Sequence, residues 1–297
     1  MNDQVDFNAL VDRAMNSPGL THMRPVVEKE LLHYDILFSL DSEGLLDQLI
    51  FQGGTSLRLC YGAPRYSEDL GFAGGKDFDS EKAHQIKACV EKHIGQRYGL
   101  EVRVKEPKDL QHDLPYDGVN VDRWQVSVVT APERRDIPQQ RIKIEVASIP
   151  AWTREPRSLH INYDFLPDGY GDTLILTETL NEIVADKLVS LVNTQKYVRH
   201  RDIWDLRWLK QKNAEIDITL VEKKLDDYSV NSYEDKLESM LKRLPEIIRG
   251  EAFRNEMRRF LPVDVWERTL AKEKFSIFLM NEIKEMLEQT KRRLIGS

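Results

Sequence analysis

The hydrophobic period changes once along this chain, and that change limits what it can fold into. The stretches "EVRVK" (101–105), "RWQVSVVT" (123–130) and "RIKIEVASI" (141–149) alternate apolar and polar residues, as strands with one buried face do. From about residue 178 the apolar residues recur every three or four positions instead. "TETLNEIVADKLVSLVN", "RDIWDLRWLKQ", "EDKLESMLKRLPEII" and "FSIFLMNEIKEMLEQTKRRL" all read as amphipathic helices. The pattern predicts an α+β fold: a mixed sheet with flanking helices, then an all-helical C-terminal half. The boundary is expected between Pro167 and Thr177, giving domains of residues 1–172 and 173–297.

Within the first half, "RPVVEKELLHYDILFSL" (24–40) has helical spacing and "LIFQ" (49–52) reads as a short buried strand. A helix is predicted near residues 55–61, stopped by Gly62 and Pro64; "SEDLGF" (67–72) is predicted as a strand and residues 80–97 as a helix. The chain of 297 residues is 41% hydrophobic and 31% charged, the balance of a soluble globular protein. No apolar run reaches membrane-spanning length, and the acidic start "MNDQVDFNAL" lacks the pattern of a signal peptide. Two cysteines, Cys60 and Cys89, without metal spacing point to a reduced cytoplasmic protein with no membrane association. A net charge of −7 argues against non-specific coating of nucleic acid but allows local basic surfaces. Arg134, Arg135, Arg141 and Lys143 form one such cluster, and Lys196, Arg199, His200 and Arg201 another.

The candidate chemistry begins at "FQGGTSLRLCYGAPRYSEDLGF" (51–72). Gly53 and Gly54 lie between a predicted strand and a predicted helix, where free backbone N–H groups and the helix dipole favour phosphate; Thr55 and Ser56 add hydroxyls. A tight turn with no ligand is the alternative, since the Walker A spacing is absent. On a strand of period two, Ser67, Asp69 and Gly71 share one face, away from Leu70 and Phe72. Asp69 is thus a candidate ligand for Mg2+, which prefers a few carboxylate oxygens plus substrate phosphates, or else an ordinary exposed aspartate. If "RIKIEVAS" neighbours this strand, Glu145 could share the cation; otherwise it belongs to a polar face beside Lys143. Lys187 falls on the apolar stripe of its helix and needs a carboxylate or phosphate partner, or must reach outward. Asp202 could cap the following helix, whereas Asp205 sits beside Leu206 and one turn from Leu209.

"GGTSLR", "RYSEDL", "DKLVSL" and "RDIWDL", in that order, resemble the AbiEii/AbiGii toxin family of nucleotidyltransferases, in the DNA polymerase β-like superfamily, over roughly residues 24–210. The resemblance implies a nucleotidyltransferase-like first half and transfer of a nucleotide from an NTP to a hydroxyl of RNA, such as a tRNA 3′ end, or of protein. It also implies Mg2+ as cofactor and a cognate antitoxin as partner. It gives Gly53, Gly54, Thr55, Ser56, Ser67 and Lys187 to the nucleotide, and Asp69 and Glu145 to the metal. Asp69, Lys187, Asp202 and Asp205 become the catalytic set. This chain departs from the family at Gly71, where Asp-Leu-Asp is usual and Asp-Leu-Gly stands. Glu68 cannot replace the missing acid, because the strand period turns it to the opposite face. A module that keeps the fold and binds nucleotide or protein, with weak or no transfer, is therefore the competing expectation.

Overall fold

A computed structural model describes residues 4–78, 83, 85–110, 119–134, 138–194 and 197–295. Arg135 and Lys196 of the two basic clusters, and part of the helix predicted from residue 80, lie outside them. By internal contacts the chain divides into two units: residues 1–115 with 120–177, and 116–119 with 178–297.

The first unit opens with α1 (Phe7–Met15) and α2 (Arg24–Ser42). Asp6 caps α1 by accepting the Ala9 N–H, and Pro25 occupies the first turn of α2, where its missing N–H costs nothing. The strands are β1 (Ile50–Gln52), β2 (Leu70–Ala73), β3 (Val102–Lys105), β4 (Val121–Val128), β5 (Gln140–Ala147), β6 (Glu155–Ser158) and β7 (Leu174–Thr177). They form one mixed sheet in the order β3-β4-β5-β2-β1-β7-β6, with α3 (Gly53–Tyr61) after β1 and α4 (Gln85–Tyr98) before β3. β7 is hydrogen-bonded into this sheet beside β1, so the first unit extends to Thr177.

Strand parity sorts the sheet. Phe51, Phe72, Val104, Trp124, Val126, Ile142, Ile144 and Val146 are buried. α2 lies against this apolar face: Gln140, in phase with Ile142, donates to Glu28 of α2 at 2.7 Å. The opposite parity is polar and more exposed along β3, β4 and β5.

Two predicted elements shift in extent. α3 begins at Gly53 rather than Thr55, because both glycines form its first turn; it ends at Gly62, whose φ of +71° is a left-handed conformation that glycine adopts without strain. β2 begins at Leu70 rather than Ser67, because side chains occupy the preceding carbonyls. Arg65 donates to the Tyr66 carbonyl at 2.7 Å, His33 Nε2 lies 3.0 Å from the Glu68 carbonyl, and the Thr55 hydroxyl donates to the Asp69 carbonyl.

His33 is fully buried, and burial pushes its imidazole down to about 4 from the ordinary 6.5. Between these values the unfolded chain binds a proton that the folded chain excludes. The stabilisation is complete above pH 6.5 and is lost as pH falls toward 4, a loss of roughly 3 kcal/mol. Urea unfolding at pH 7 and pH 4 is expected to show this loss in the native chain and a smaller one in His33→Gln.

The second unit is helical: α5 (Leu180–Asn193), α6 (His200–Gln211), α7 (Ile218–Asp227), α8 (Tyr233–Arg249), α9 (Glu251–Phe260), α10 (Val263–Arg268) and α11 (Glu273–Ile295). Leu188, Leu191, Ile203, Leu206, Leu237, Phe253 and Leu287 are all 0% exposed and form its core. Lys224 is also fully buried, with Glu178, Glu182 and Asp186 oxygens at 2.9, 2.7 and 3.1 Å. Burial and the nearby Asp186 charge hold the Glu178 carboxyl well above the usual range. Among the described residues no helix is long and apolar enough to cross a membrane.

Candidate active site

Backbone geometry sets the glycine turn. Gly53 has a φ of +80°, which lets the chain leave β1 and enter α3 without a linker. A Cβ built on Gly54 would lie 2.4 Å from Arg65 Nη2 and 3.2 Å from Ser67 Oγ. The buried guanidinium of Arg65 is therefore seated directly against this turn. Arg65 lies in the quoted "RYSEDL", but neither periodicity nor motif position assigned it a role; only the close approach to Gly54 reveals it.

The hydroxyls of Thr55 and Ser56 do not aim outward. Thr55 donates to the Asp69 carbonyl and Ser56 to the Gly53 carbonyl, the latter at 2.9 Å. The turn thus offers an anion its backbone N–H groups, which a helix start leaves without intrahelical partners. Ser67 is also buried beside Gly54.

β2 and β5 are parallel neighbours, with Gly71 opposite Glu145; on the other side Gly71 pairs with Gln52 of β1. Asp69 precedes β2 in the same phase, and its Oδ1 accepts the Lys143 backbone N–H at 3.0 Å. Asp69, one residue before β2, and Glu145 on β5 are therefore in phase on one face; the sequence made a shared cation conditional on these strands being neighbours, and β2 and β5 are neighbours. Arg123 reaches across from β4 to Glu145 Oε1 at 2.7 Å. Glu68 turns the other way and pairs with Lys29 of α2 at 2.8 Å.

Gly71 is a gap rather than a constraint. Its φ lies outside the left-handed region, and a Cβ built there would meet only Gln52 O at 3.7 Å and Gln52 Cγ at 3.8 Å. Gly71→Asp should fold with a thermal midpoint near that of the native chain and increase nucleotide transfer where that carboxylate limits it. Comparing turnover of the two chains across a Mg2+ titration checks this.

In the helical unit Lys187, Asp202 and Asp205 meet one another. Lys187 Nζ lies 2.8 Å from Asp202 Oδ1 and 2.8 Å from Asp205 Oδ2, all three residues being buried. Ser190 donates to Asp202 at 3.0 Å, and Arg199 also pairs with it. Burial alone would raise the Asp202 carboxyl, but Arg199 and Lys187 hold it well below the usual carboxylate range. Asp202 thus ties two helices together, and the N-cap position of α6 falls to Arg199. Two of the three ammonium donors of Lys187 meet these carboxylates, leaving a third direction for another acceptor.

A mixed sheet with flanking helices, followed by a helical second half, is the fold of a nucleotidyltransferase. The AbiEii model, described as a nucleotidyl transferase toxin of type IV toxin–antitoxin systems, matches residues 35–272. The chain belongs to the AbiEii family of nucleotidyltransferase toxins. Among solved structures it is similar to JHP933 from Helicobacter pylori, with 16% identity and a TM-score of 0.52 over 91% of this chain and 95% of that one. It also matches the nucleotidyltransferase toxin MenT4 from Mycobacterium tuberculosis, with 21% identity and a TM-score of 0.47 over 82% of this chain and 72% of that one. No curated protein sequence matches significantly.

Proposed function

We propose that this nucleotidyltransferase toxin moves a nucleotide from an NTP to a hydroxyl of RNA or protein in the cytoplasm, held in check by a cognate antitoxin. The observation that carries the reading is the β2–β5 pairing, which sets Asp69 and Glu145 on one face beside the Gly53–Ser56 turn. The backbone N–H groups of that turn suit the triphosphate, with Arg65 adding positive charge behind Gly54. Lys187 is assigned to the nucleotide, and Asp202 and Asp205 to holding its ammonium in place.

The donor set fits Mg2+. Two hard carboxylates are what this ion takes when phosphate oxygens and water complete its shell, and Asp69 and Glu145 would hold it. When bound, it would supply charge neutralisation at the reacting phosphate. Asp69 would hold the ion while keeping its bond from the Lys143 N–H, whereas Glu145 would exchange Arg123 for the ion.

A second reading, a nucleotide- or protein-binding module with weak transfer, is favoured by Gly71 and by the Arg123–Glu145 pair. Incubation with each labelled NTP, total RNA and lysate separates the two. Label in RNA or protein that depends on Asp69 supports transfer. Nucleotide binding by calorimetry that ignores both Mg2+ and Asp69→Asn, with no label moved, supports the module.

A further inference from the structure

The polar face of the sheet carries more positive charge than the proposed reaction uses. Cross-strand registers place Arg103 of β3 opposite Ser127 of β4 and Ser127 opposite Arg141 of β5; in the next row Lys105, Gln125 and Lys143 line up in the same way. One further row on, Arg123 stands beside Glu145, and Glu145 beside Gly71. Arg103, Lys105 and Arg141 are exposed, and Lys143 and Arg123 half-buried. Among the described residues only Arg123 of these five has a carboxylate partner, Glu145. The basic stretch around Arg199 and Arg201 differs, because Asp202 and Glu256 offset those two cations.

We propose that this face of β3, β4 and β5 is the docking surface for the RNA acceptor, whose phosphodiester backbone lies across the cation rows with its reacting hydroxyl toward Asp69. The inference rests on the transferase reading and narrows its acceptor from RNA or protein to RNA. Charge complementarity is the argument. A chain of net charge −7 repels a polyanion in general, yet among the described residues five cations share this face with three carboxylates, Asp69 and Glu145 at the proposed site and Glu101 at the far end of the β3 row. Cations two residues apart on a strand are about 7 Å apart, and those on β3 and β5 about 10 Å, so a flexible strand touches several at once. The rows run from the edge strand β3 to the carboxylates, which gives the bound strand a direction and an end point.

The test is fluorescence anisotropy of the full chain with a short labelled single-stranded RNA over a salt series. Arg103→Ala/Lys105→Ala/Arg141→Ala removes three exposed side chains and should leave the thermal midpoint unchanged. It is expected to weaken binding on the order of tenfold and to flatten the log–log salt slope by about 2. A control, Lys242→Ala/Arg243→Ala on the exposed side of α8, should bind as the native chain does. Native-like binding by the triple variant overturns the proposal, as does equal loss in the control or no RNA binding at low salt. Displacement of RNA by polyglutamate at equal charge overturns it in favour of an acidic protein. Binding that is lost in the triple variant, in a chain that transfers no label, supports the surface and rejects the transferase reading instead.

Discussion

Replacing Lys187 by methionine is expected to destabilise the helical unit by about 3–5 kcal/mol, because it leaves two buried carboxylates facing each other without the ammonium between them. Lys187, Asp202 and Asp205 are 6%, 4% and 2% exposed, so water cannot take over the lost contacts. Arg199 stays beside Asp202, and the larger penalty falls on Asp205, which loses a cation at 2.8 Å. Urea unfolding checks the size of the effect. The triple variant Lys187→Met/Asp202→Asn/Asp205→Asn should recover much of the loss, since no buried carboxylate then lacks its ammonium and the part-exposed Arg199 can be solvated by water. If Lys187→Met unfolds at the native urea midpoint, the pairs at 2.8 Å contribute nothing and the lysine is held for chemistry alone.

Asp69→Asn should abolish most transfer while leaving the fold intact. The amide keeps an oxygen for the Lys143 N–H at the same position, so local geometry survives and only the charge is lost. Losing the carboxylate assigned to hold Mg2+ removes charge neutralisation at the reacting phosphate and lowers turnover on the order of 10²–10³. Single-turnover transfer at saturating Mg2+ measures this, with the thermal midpoint as the control for folding. Turnover equal to that of the native chain would remove Asp69 from the site and leave the binding-module reading.

Much of the architecture was legible because strand alternation and helical spacing report burial directly. Val126, Ile142 and Ile144 announced the apolar face, and the stripe on α5 announced the helical unit. The pairing of β2 with β5 was legible only as a condition. A period of two gives a side chain's face but never its neighbouring strand, which depends on contacts far apart in sequence. The same limit hid Arg65 against Gly54 and the link from Arg123 to Glu145. Thr55 and Ser56 read as phosphate donors because hydroxyls at a helix start often are; here the nearby carbonyls of Asp69 and Gly53 receive their protons. Lys187 was marked as needing a partner, and the sequence distance from Lys187 to Asp205 left open whether that partner was protein or phosphate.

The carbonyls of Tyr66, Glu68 and Asp69 are gripped by side chains from three different places: Arg65 itself, His33 on α2 and Thr55 on α3. Sliding this segment by one residue would break the His33 and Thr55 grips at once and swing Asp69 into the core. The alignment of the carboxylate is thereby latched, either fully engaged or lost. Damage at His33 or Thr55 would then mimic an active-site lesion, although the side chains of both need never touch the nucleotide.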